Sequence, residues 1–487
     1  MVGLASIARR TGARRRCVRC LAAASVAFLL LIASSCGTRV NKAAYLASVE
    51  SGSASGGSLL QGTTGSGAGG GTATSLAAGG PQSSGRSSVS ISGGRPRPAG
   101  GGAPSGGAPS GSTSSGGGGS NQYGLSTAVV GKTIDFGITV PITGAAPLPF
   151  GWQTDVNTVE QWIASQGGLY GRKVSFDIED DGYDPSTGQA ACTKLVDSKP
   201  LFVVGWTMPE VELECAQLFS KNKIPYFARG ASPNVIQSCS IPICYFLSPS
   251  DAIQGTLGAD YVMNDMGGAH QKIGMVWEND QPASPNAFVA EVRKKGGSVL
   301  VDESSVPRQQ DFSSTIVKLQ QAGCTVVMLS VAPVDAITIS TQAQSMGYHP
   351  TWFGLGTYWN YNLVLESAGM AMDGAITFSP WVSIDSAAAA QWRQIYSKYN
   401  NGAQADDIGL IIFGLAELGL AVMKAAGPNM SVASVIAQLD DFSWSSPFWA
   451  PVSYSTADHM GPTSVCVFRA DGQAKRWVQI AGFSSSF

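Results

Sequence analysis

The fold is decided by residues 133–205, which read TIDFGITVPITGAAPLPFGWQTDVNTVEQWIASQGGLYGRKVSFDIEDDGYDPSTGQAACTKLVDSKPLFVVG. Thr133–Val140 is β-rich and alternates as a strand does, and Pro141–Gly144 ends it. Apolar residues between 156 and 163 then recur at helical spacing. The elements that follow are strand Lys173–Ile178, helix Gln189–Asp197 and strand Leu201–Gly205. Such alternation is typical of a parallel sheet covered by helices.

The same alternation runs through the rest of the chain. The predicted elements are helix Val211–Asn222, strand Ile224–Ala228, strand Lys272–Trp277, helix Ala287–Lys295, strand Ser298–Glu303, helix Ser313–Ala322, strand Thr325–Ser330 and helix Asp335–Met346. Two helices, Ala387–Tyr399 and Ile408–Ala426, precede short strands at the C-terminus. Two series of about five strands predict an α/β fold with two doubly wound parallel-sheet lobes.

An export signal is predicted at the N-terminus. Six arginines precede an apolar run from about Leu21 to Ala33. A run of about 13 residues is too short to cross about 30 Å of hydrocarbon but is typical of a signal peptide. It ends in Ala33-Ser34-Ser35-Cys36, which resembles a bacterial lipobox whose cysteine is acylated. We predict lipidation at Cys36, and an ordinary cleaved signal or an uncleaved anchor is the alternative.

Charge and composition differ sharply between segments. The whole chain has 31 basic and 33 acidic residues, but the leader holds six of the arginines and no acid. The exported chain is therefore acidic, at about −8, which argues against nucleic-acid binding because that needs a basic stripe. Gly and Ser make up more than half of residues 51–120. Such a stretch buries too little apolar surface to fold, so we predict a disordered tether.

Six cysteines lie beyond the leader, and an even number in an exported domain predicts disulfides: Cys192, Cys215, Cys239, Cys244, Cys324 and Cys466. Cys239 and Cys244 would close a small loop. Cys192 and Cys215 lie on consecutive predicted helices that flank one strand, so they can meet on one face. By elimination Cys324 pairs with Cys466, or both are free and buried. A zinc site is disfavoured because no Cys-x-x-Cys pair or histidine lies near these residues.

Enzyme motifs are absent from the region predicted to fold. It contains no GxSxG, HExxH, Walker A or GxGxxG sequence. His270, His349 and His459 are scattered rather than paired at helical spacing. Asp180-Asp181 precedes Asp184-Pro185, which is a common way to turn the chain and cap a helix. We therefore predict a protein that is not an enzyme and that needs neither a cofactor nor a metal.

Several short motifs occur in an order that identifies a family. They are PITG at 141–144, the Gly-Gly helix end at 167–168, GRK at 171–173, EDD…DP at 179–185, VVGWT at 203–207, IPYFARGASPNV at 224–235, FLSPSDAIQG at 246–255, KIGMVWEND at 272–280, DFSSTIVKLQQAGCTVVML at 311–329 and AQSMGY at 343–348. From about Ile134 to its end the chain resembles the type I periplasmic binding proteins. More narrowly, it resembles the branched-chain amino acid (leucine/isoleucine/valine) group of ABC-transporter substrate-binding proteins, as an actinobacterial-type lipoprotein.

The resemblance implies two lobes joined by three crossovers, with a ligand bound in the cleft between them. The expected domains are a signal peptide at 1–35, a tether at 36–125, lobe 1 at 126–250 with 380–450, and lobe 2 at 251–379 with 451–487. The expected function is an exported solute-binding protein that delivers a small polar ligand, an amino acid or related amide or acid, to ABC permease subunits. It would be a monomer anchored by lipid to the outer face of the cytoplasmic membrane. An extracytoplasmic sensor that presents its closed form to a membrane receptor is the alternative.

The resemblance also implies ligand-binding positions, which lie in loops after strands. Those carried over are Phe150, Trp206, Thr207, Gly230, Ala231, Ser232, Asn279, Asp280, Asp335, Tyr358 and Trp359. Asp335 takes the place of the acid that pairs with the ligand's ammonium group, and capping its own helix is the competing role. Ser232 could likewise be a plain helix cap, and Tyr358 with Trp359 could serve packing alone. Where many relatives have Tyr-Gly, this chain has Asn279-Asp280, which permits a larger or flatter ligand.

Overall fold

A computed structural model describes residues 121, 123–144, 151–239, 242–356 and 359–487 of the chain. The predicted signal peptide, the lipidation at Cys36 and most of the tether lie outside the described residues. Twelve α-helices and fourteen strands form the described part. The helices are α1 Trp152–Ser165, α2 Pro185–Ser198, α3 Pro209–Asn222, α4 Pro233–Ser238, α5 Asp251–Asn264, α6 Ala283–Lys294, α7 Ser313–Ala322, α8 Pro333–Ser345, α9 Asn362–Ala368, α10 Ala390–Tyr399, α11 Asp407–Ala426 and α12 Val432–Leu439.

The strands form two large sheets and one hairpin. They are β1 Thr133–Val140, β2 Lys173–Asp180, β3 Phe202–Gly205, β4 Tyr226–Ala228, β5 Cys244–Phe246, β6 Ile273–Glu278, β7 Val299–Ser305, β8 Val326–Ser330, β9 Thr351–Gly354, β10 Ile376–Ser379, β11 Asp441–Trp444, β12 Val452–Ser455, β13 Val465–Asp471 and β14 Arg476–Ser484. The first sheet has the order β2-β1-β3-β4-β5 and the second β14-β13-β10-β9-β8-β6-β7, while β11 pairs with β12.

The first sheet is parallel throughout and is covered on both faces. A Cβ at Gly137 in β1 would touch Leu195 of α2, and the Phe202 ring of β3 packs on Gly419 of α11. Helices α10 and α11 both pack against α1. We call this sheet with α1–α4 and α10–α12 the first lobe, and the second sheet with α5–α9 the second lobe. The predicted α/β fold of two lobes is confirmed.

The second sheet departs from the predicted all-parallel arrangement at one edge. Strands β6 to β10 are parallel, but β13 runs antiparallel to β10, and β14 antiparallel to β13. A hairpin joins β13 to β14 with no room for a crossover helix, so these two strands must be antiparallel. The short C-terminal strands of the sequence analysis thus extend the second lobe.

The chain passes between the lobes three times, at residues 247–250, 380–389 and 456–464. The first and third crossovers lie side by side, because Phe246 N–H donates to the His459 carbonyl over 3.0 Å. The second is held against the loop between β11 and β12, where Trp381 bridges Trp449 and Val382 N–H donates to Phe448 O over 3.0 Å. The connections between the lobes are therefore hydrogen-bonded to neighbouring chain rather than loose.

Two of the predicted disulfides form, and both lie in the first lobe. Cys192 of α2 joins Cys215 of α3 with 5.7 Å between their Cα atoms, and Cys239 joins Cys244 with 5.5 Å. For Cys324 and Cys466 the pairing is wrong and the alternative is confirmed, because both are free and buried. Strands β9 and β10 separate β8, which Cys324 precedes, from β13, which holds Cys466. Three strand spacings amount to about 14 Å, which exceeds the reach of a disulfide.

Helix α11 has 20 residues and is long and apolar enough to cross a membrane. It is the one such helix in the described part of the chain, and 78% of its most apolar window is buried inside the structure. Its position beside α1 and over β3 accounts for that composition, since a helix that is apolar all round is buried in a core.

Candidate functional site

Loops at the carboxyl ends of strands from both sheets surround two adjoining cavities. The smaller has a volume of about 20 Å³, enough for about one water molecule. It is lined by residues that follow or end β4, β5, β6, β8 and β9: Arg229, Gly230, Ser248, Gln281, Ser330, Leu355 and Gly356. The larger has a volume of about 310 Å³. Pro209, Ser232, Asp251 and Gln281 line both. Carboxyl ends of parallel strands are where α/β sheets bind ligands.

Arg229 and Glu212 build the wall of the smaller cavity in the first lobe. The Glu212 carboxylate is buried and accepts the Gly230 N–H at 3.0 and 3.1 Å from its two oxygens. Arg229 Nε lies 3.8 Å from Glu212 Oε1, and its Nη2 donates to Thr207 O over 2.7 Å. Burial raises the pKa of Glu212 to about 7, although Arg229 and the Gly230 N–H oppose the rise. These contacts fix the loop that follows β4.

Asp251 begins α5 and touches both lobes through its backbone. Its N–H donates to Ala231 O over 3.4 Å, and its carbonyl accepts the Ser284 hydroxyl of the second lobe over 2.7 Å. Ser250 caps the helix by accepting the Ile253 N–H. The Asp251 side chain lines both cavities, and burial raises its pKa to about 6 against the opposing charge of Arg229. Asp251 therefore presents a carboxyl group where the two lobes meet.

The larger cavity combines apolar walls with an acidic pair. Leu213, Pro233, Pro282 and Ala283 contribute the apolar lining. Glu210 of α3 faces Asp280 of the second lobe. Burial, a hydrogen bond to Asp280 and repulsion by its charge raise the pKa of Glu210 to about 7. Two carboxyl groups from opposite lobes thus face each other at this cavity.

Asp335 lies behind the cavities rather than in their lining. Its carboxylate is buried and accepts the Arg308 N–H over 2.7 Å. Glu278 lies beside it and accepts the Ala332 N–H over 2.7 Å, and burial with the nearby Asp335 charge raises the pKa of Glu278 to about 8. Capping by Asp335, the alternative from the sequence, is wrong, because Ala332 is the N-cap of α8 and Asp335 lies in its first turn. Its predicted contact with a ligand stays a prediction.

The other predicted site residues fall into four groups. Gly230, Ser232 and Asp280 line the cavities, and Ser232 also caps α4 by accepting the Val235 N–H over 3.4 Å. Four are buried in packing: Trp206, Thr207, Ala231 and Trp359. Asn279 is exposed. Phe150 and Tyr358 lie outside the described residues.

The buried residues serve the structure around the cavities. Trp206 Nε1 donates to the Tyr361 hydroxyl over 3.3 Å, and Trp359 Nε1 donates to Val331 O over 3.1 Å. Burial raises the pKa of Asp181 to about 6, while the neighbouring Thr207 hydroxyl restrains the rise. These side chains position the loops after β3 and β9, so they support the site from behind.

Five residues that line the smaller cavity are not among the predicted site residues: Arg229, Asp251, Gln254, Ser284 and Ser330. A signal for Asp251 was present, because Ser250 and Asp251 are residue types that commonly begin a helix. Ser330 ends a strand that the sequence predicted correctly. No such signal marks Ser284, which reaches the site only through the packing of α6 against α5.

Metal binding receives no support from the described residues, since none of their His, Cys, Asp and Glu side chains form a group of three that could hold an ion. His459, one of the three histidines, is buried and stacks on Tyr245 with ring centroids 4.3 Å apart. Its Nδ1 lies 2.7 Å from the Cys244 carbonyl. This histidine is a hydrogen-bonded structural residue within the third crossover.

A buried acid links the lobes next to these loops. Asp407, at the start of α11 in the first lobe, accepts the Asn362 N–H of the second lobe over 2.9 Å. Burial raises the pKa of Asp407 to about 8, the Asn362 N–H opposes that rise, and the charges of Asp406, Asp385 and Glu366 add to it. The acid is therefore largely protonated at neutral pH.

We expect Asp407→Asn to remove a loss of stability that develops in the wild type as the pH rises from about 4 to about 8. Because the folded-state pKa lies above the ordinary value of 3.8, the stabilisation is complete below about pH 4 and is lost as the pH rises through about 8. Thermal melts should show the variant a few degrees above the wild type at pH 9 and about equal to it at pH 5. Asp441→Asn, at an exposed position, should change neither melt. If the melting temperatures of Asp407→Asn and wild type differed by the same amount at every pH, the loss of stability would not come from ionisation of Asp407.

Comparisons with known proteins agree with the geometry. The profile of a family described as periplasmic binding protein matches residues 133–475. Among curated proteins, the chain is similar to Leu/Ile/Val-binding protein homolog 3 of Brucella melitensis, with 26% identity over 218 residues. The match covers 44% of this chain and 58% of that relative, which is less than two thirds of the relative's length.

Solved structures share the fold at low identity. One is a solute-binding protein of an ABC transporter from Rhodopseudomonas palustris in complex with 3,4-dihydroxybenzoic acid, with 18% identity, a TM-score of 0.61, and coverage of 73% of this chain and 99% of that chain. Another is a branched-chain amino acid transporter substrate-binding protein from Streptococcus pneumoniae in complex with isoleucine, with 17% identity, a TM-score of 0.61, and coverage of 72% and 100%. One holds an aromatic acid and the other an aliphatic amino acid, so the shared fold leaves the ligand open.

Proposed function

Because the chain belongs to the periplasmic binding protein family, we propose that it is the exported solute-binding protein of an ABC importer. Its ligand is a small polar molecule, an amino acid or a related amide or acid, held in the cleft between the two lobes. The single observation that carries this proposal is the pair of adjoining cavities lined by loops of both sheets. A volume of about 310 Å³ lies at the lower end of the range for small-molecule sites.

Closure of the lobes around the ligand would produce the form that the permease subunits recognise. A ligand that contacts both lobes stabilises the closed arrangement over the open one by its difference in affinity for the two. The lining supports such a role, since Gly230 and Ser232 come from the first lobe and Gln281 and Ser284 from the second. A ligand here would bind both lobes at once.

The rest of the chain would place this binding unit outside the cell. In the proposed organisation a signal peptide at 1–35 directs export and acylated Cys36 anchors the chain to the outer face of the cytoplasmic membrane. The tether at 36–125 separates the anchor from lobe 1, at 126–250 with 380–450, and lobe 2, at 251–379 with 451–487. The protein would act as a monomer.

A ligand screen with a blocked cleft tests the proposal. Amino acids, amides, amines and small acids are added to the full chain, and a ligand at 100 times its dissociation constant should stabilise the fold by about 2.7 kcal/mol, seen as a raised melting temperature. Ala283→Trp fills the larger cavity and should abolish that rise. Ala290→Trp lies on an exposed face of the same helix and should keep it.

A ligand that stabilises wild type and Ala283→Trp equally would bind elsewhere and would contradict the cleft as the site. The absence of any stabilising compound in the whole screen would count against solute binding itself.

A further inference from the structure

The smaller cavity presents hydrogen-bond acceptors with nothing to accept from. Ser330 is only 6% exposed, lines this cavity, and its hydroxyl has no hydrogen-bond partner among the described residues. Gln254, also 6% exposed, lines the same cavity; its Nε2 donates to Pro249 O over 2.8 Å, and no described residue donates to its Oε1. Polar groups of buried residues are normally hydrogen-bonded. The Gln254 amide oxygen can only accept and the Ser330 hydroxyl can accept or donate, so a ligand or water that donates would satisfy both.

Asp251 adds a charged acceptor at the same place. Its backbone is bonded to both lobes, yet its carboxylate oxygens accept no hydrogen bond from any described residue. An ionised carboxylate accepts hydrogen bonds and cannot donate them, so the group that binds these oxygens must be a hydrogen-bond donor. A hydroxyl, a carboxylate oxygen and an amide oxygen therefore converge on one small space.

The charges around both cavities are unbalanced. Four acids line them, Glu210, Glu212, Asp251 and Asp280, against one base, Arg229. Arg229 is already engaged by Glu212, by the Thr207 carbonyl and by the Trp206 ring, whose centroid lies 5.9 Å from the guanidinium carbon. A carboxylate on the ligand would therefore meet only a base that is already paired with Glu212. A cation on the ligand would meet the three other acids, Glu210, Asp251 and Asp280.

We propose that the ligand of this cleft is an organic cation, with an ammonium group seated against Asp251, Ser330 and Gln254. This inference rests on the proposed function of solute binding and changes its ligand class from an amino acid, amide or acid in general to an organic cation. Charge-assisted hydrogen bonds from such a group would satisfy the orphan acceptors together. Its aliphatic body would lie in the larger cavity against Leu213, Pro233, Pro282 and Ala283. Glu210 and Asp280 would then face a second amine, as in a diamine or a basic amino acid.

The test compares probes of different charge on the full chain. Putrescine, L-lysine and L-arginine are the cations, L-leucine and L-glutamine carry no net charge, and L-glutamate and benzoate are anions. At least one cation should raise the melting temperature and bind by isothermal titration, while the other two groups should not. Asp251→Asn should weaken that cation at least about 30-fold, because it removes one partner of a buried charge pair. Asp265→Asn, at the exposed end of the same helix, is the matched control and should bind as wild type.

A second experiment measures how the affinity of the wild-type protein for the cation depends on pH, so it needs no variant at Asp251. The affinity of wild type for the cation should fall as the pH drops from 8 to 5, because protonation of Asp251 and Glu210, whose pKa values burial raises to about 6 and about 7, removes the charges that attract it. Ser330→Ala should weaken binding about threefold to tenfold by deleting one acceptor and should fold as wild type.

The outcomes separate this inference from the function beneath it. A neutral or anionic probe that stabilises wild type but not Ala283→Trp would overturn the cationic ligand and leave solute binding in place. Cation binding that is unchanged in Asp251→Asn and independent of pH would overturn it too. No stabilisation by any probe would count against both.

Discussion

Trp381→Ala is expected to lower the free energy of unfolding by about 3–5 kcal/mol, the cost of truncating a buried tryptophan. The side chain is 2% exposed at the second crossover. Its ring lies between those of Trp206 and Trp449, with centroids 5.2 and 5.3 Å away. Truncation would leave a cavity between the two rings and remove both aromatic contacts.

Chemical denaturation would measure the loss, with Trp277→Ala as the control. Trp277 lies on β6, is half-buried and donates from Nε1 to Asp302, so its truncation should cost about 1–2 kcal/mol. Because Trp206 also supports Arg229, we expect Trp381→Ala to weaken ligand binding as well. If Trp381→Ala and Trp277→Ala lowered the free energy of unfolding equally, the contacts of Trp381 with the other two rings would not stabilise the second crossover.

Gly205→Ala is expected to be the second large loss, at about 3 kcal/mol, because the strand has no room for a methyl group. Gly205 ends β3, directly before Trp206, and a Cβ there would lie 1.9 Å from the Tyr226 hydroxyl oxygen and 2.6 Å from its ring. Tyr226 is fully buried and cannot swing outward. The backbone of β3 would have to shift away from β4 and carry the following loop with it.

A double-mutant cycle would identify the clash as the cause. Tyr226→Leu removes the ring edge that the new methyl group meets, so Gly205→Ala should cost less in that background than alone. Gly482→Ala on β14 is the control, since a Cβ at that position meets nothing within 4 Å. Additive effects of Gly205→Ala and Tyr226→Leu would refute the steric explanation.

The sequence predicted helices and strands well where the spacing of apolar residues agrees with the residues that begin or end an element. Strand β1 and helix α7 begin and end at the predicted residues. Helix α2 begins at Pro185 rather than Gln189, because Asp184 caps it and accepts the Thr187 N–H over 2.9 Å. The cap was recognised in the sequence, but the first turn carries no apolar residue that would reveal the helix. The family resemblance is confirmed, because the profile of the periplasmic binding protein family matches residues 133–475.

The site was predictable only in part. Residues directly after strands, such as Gly230 and Asp280, follow from the rule that ligands meet the carboxyl ends of strands. Asp251 and Ser284 meet because α5 packs on α6, and the pairing of two helices across a crossover leaves no local pattern in the sequence. The sequence leaves two alternatives for Cys324 and Cys466, a disulfide or two free thiols, because counting cysteines does not reveal the two strands that separate them.

The two lobes differ in the state of their cysteines and can therefore be probed by different reagents. Among the described residues both cystines lie in the first lobe, and both buried thiols belong to the second. A thiol-reactive dye can reach Cys324 or Cys466 only when the second lobe opens, whereas a reductant acts on covalent bonds of the first alone. The rate of alkylation therefore reports on local opening of the second lobe, and the rate of disulfide reduction reports on local opening of the first.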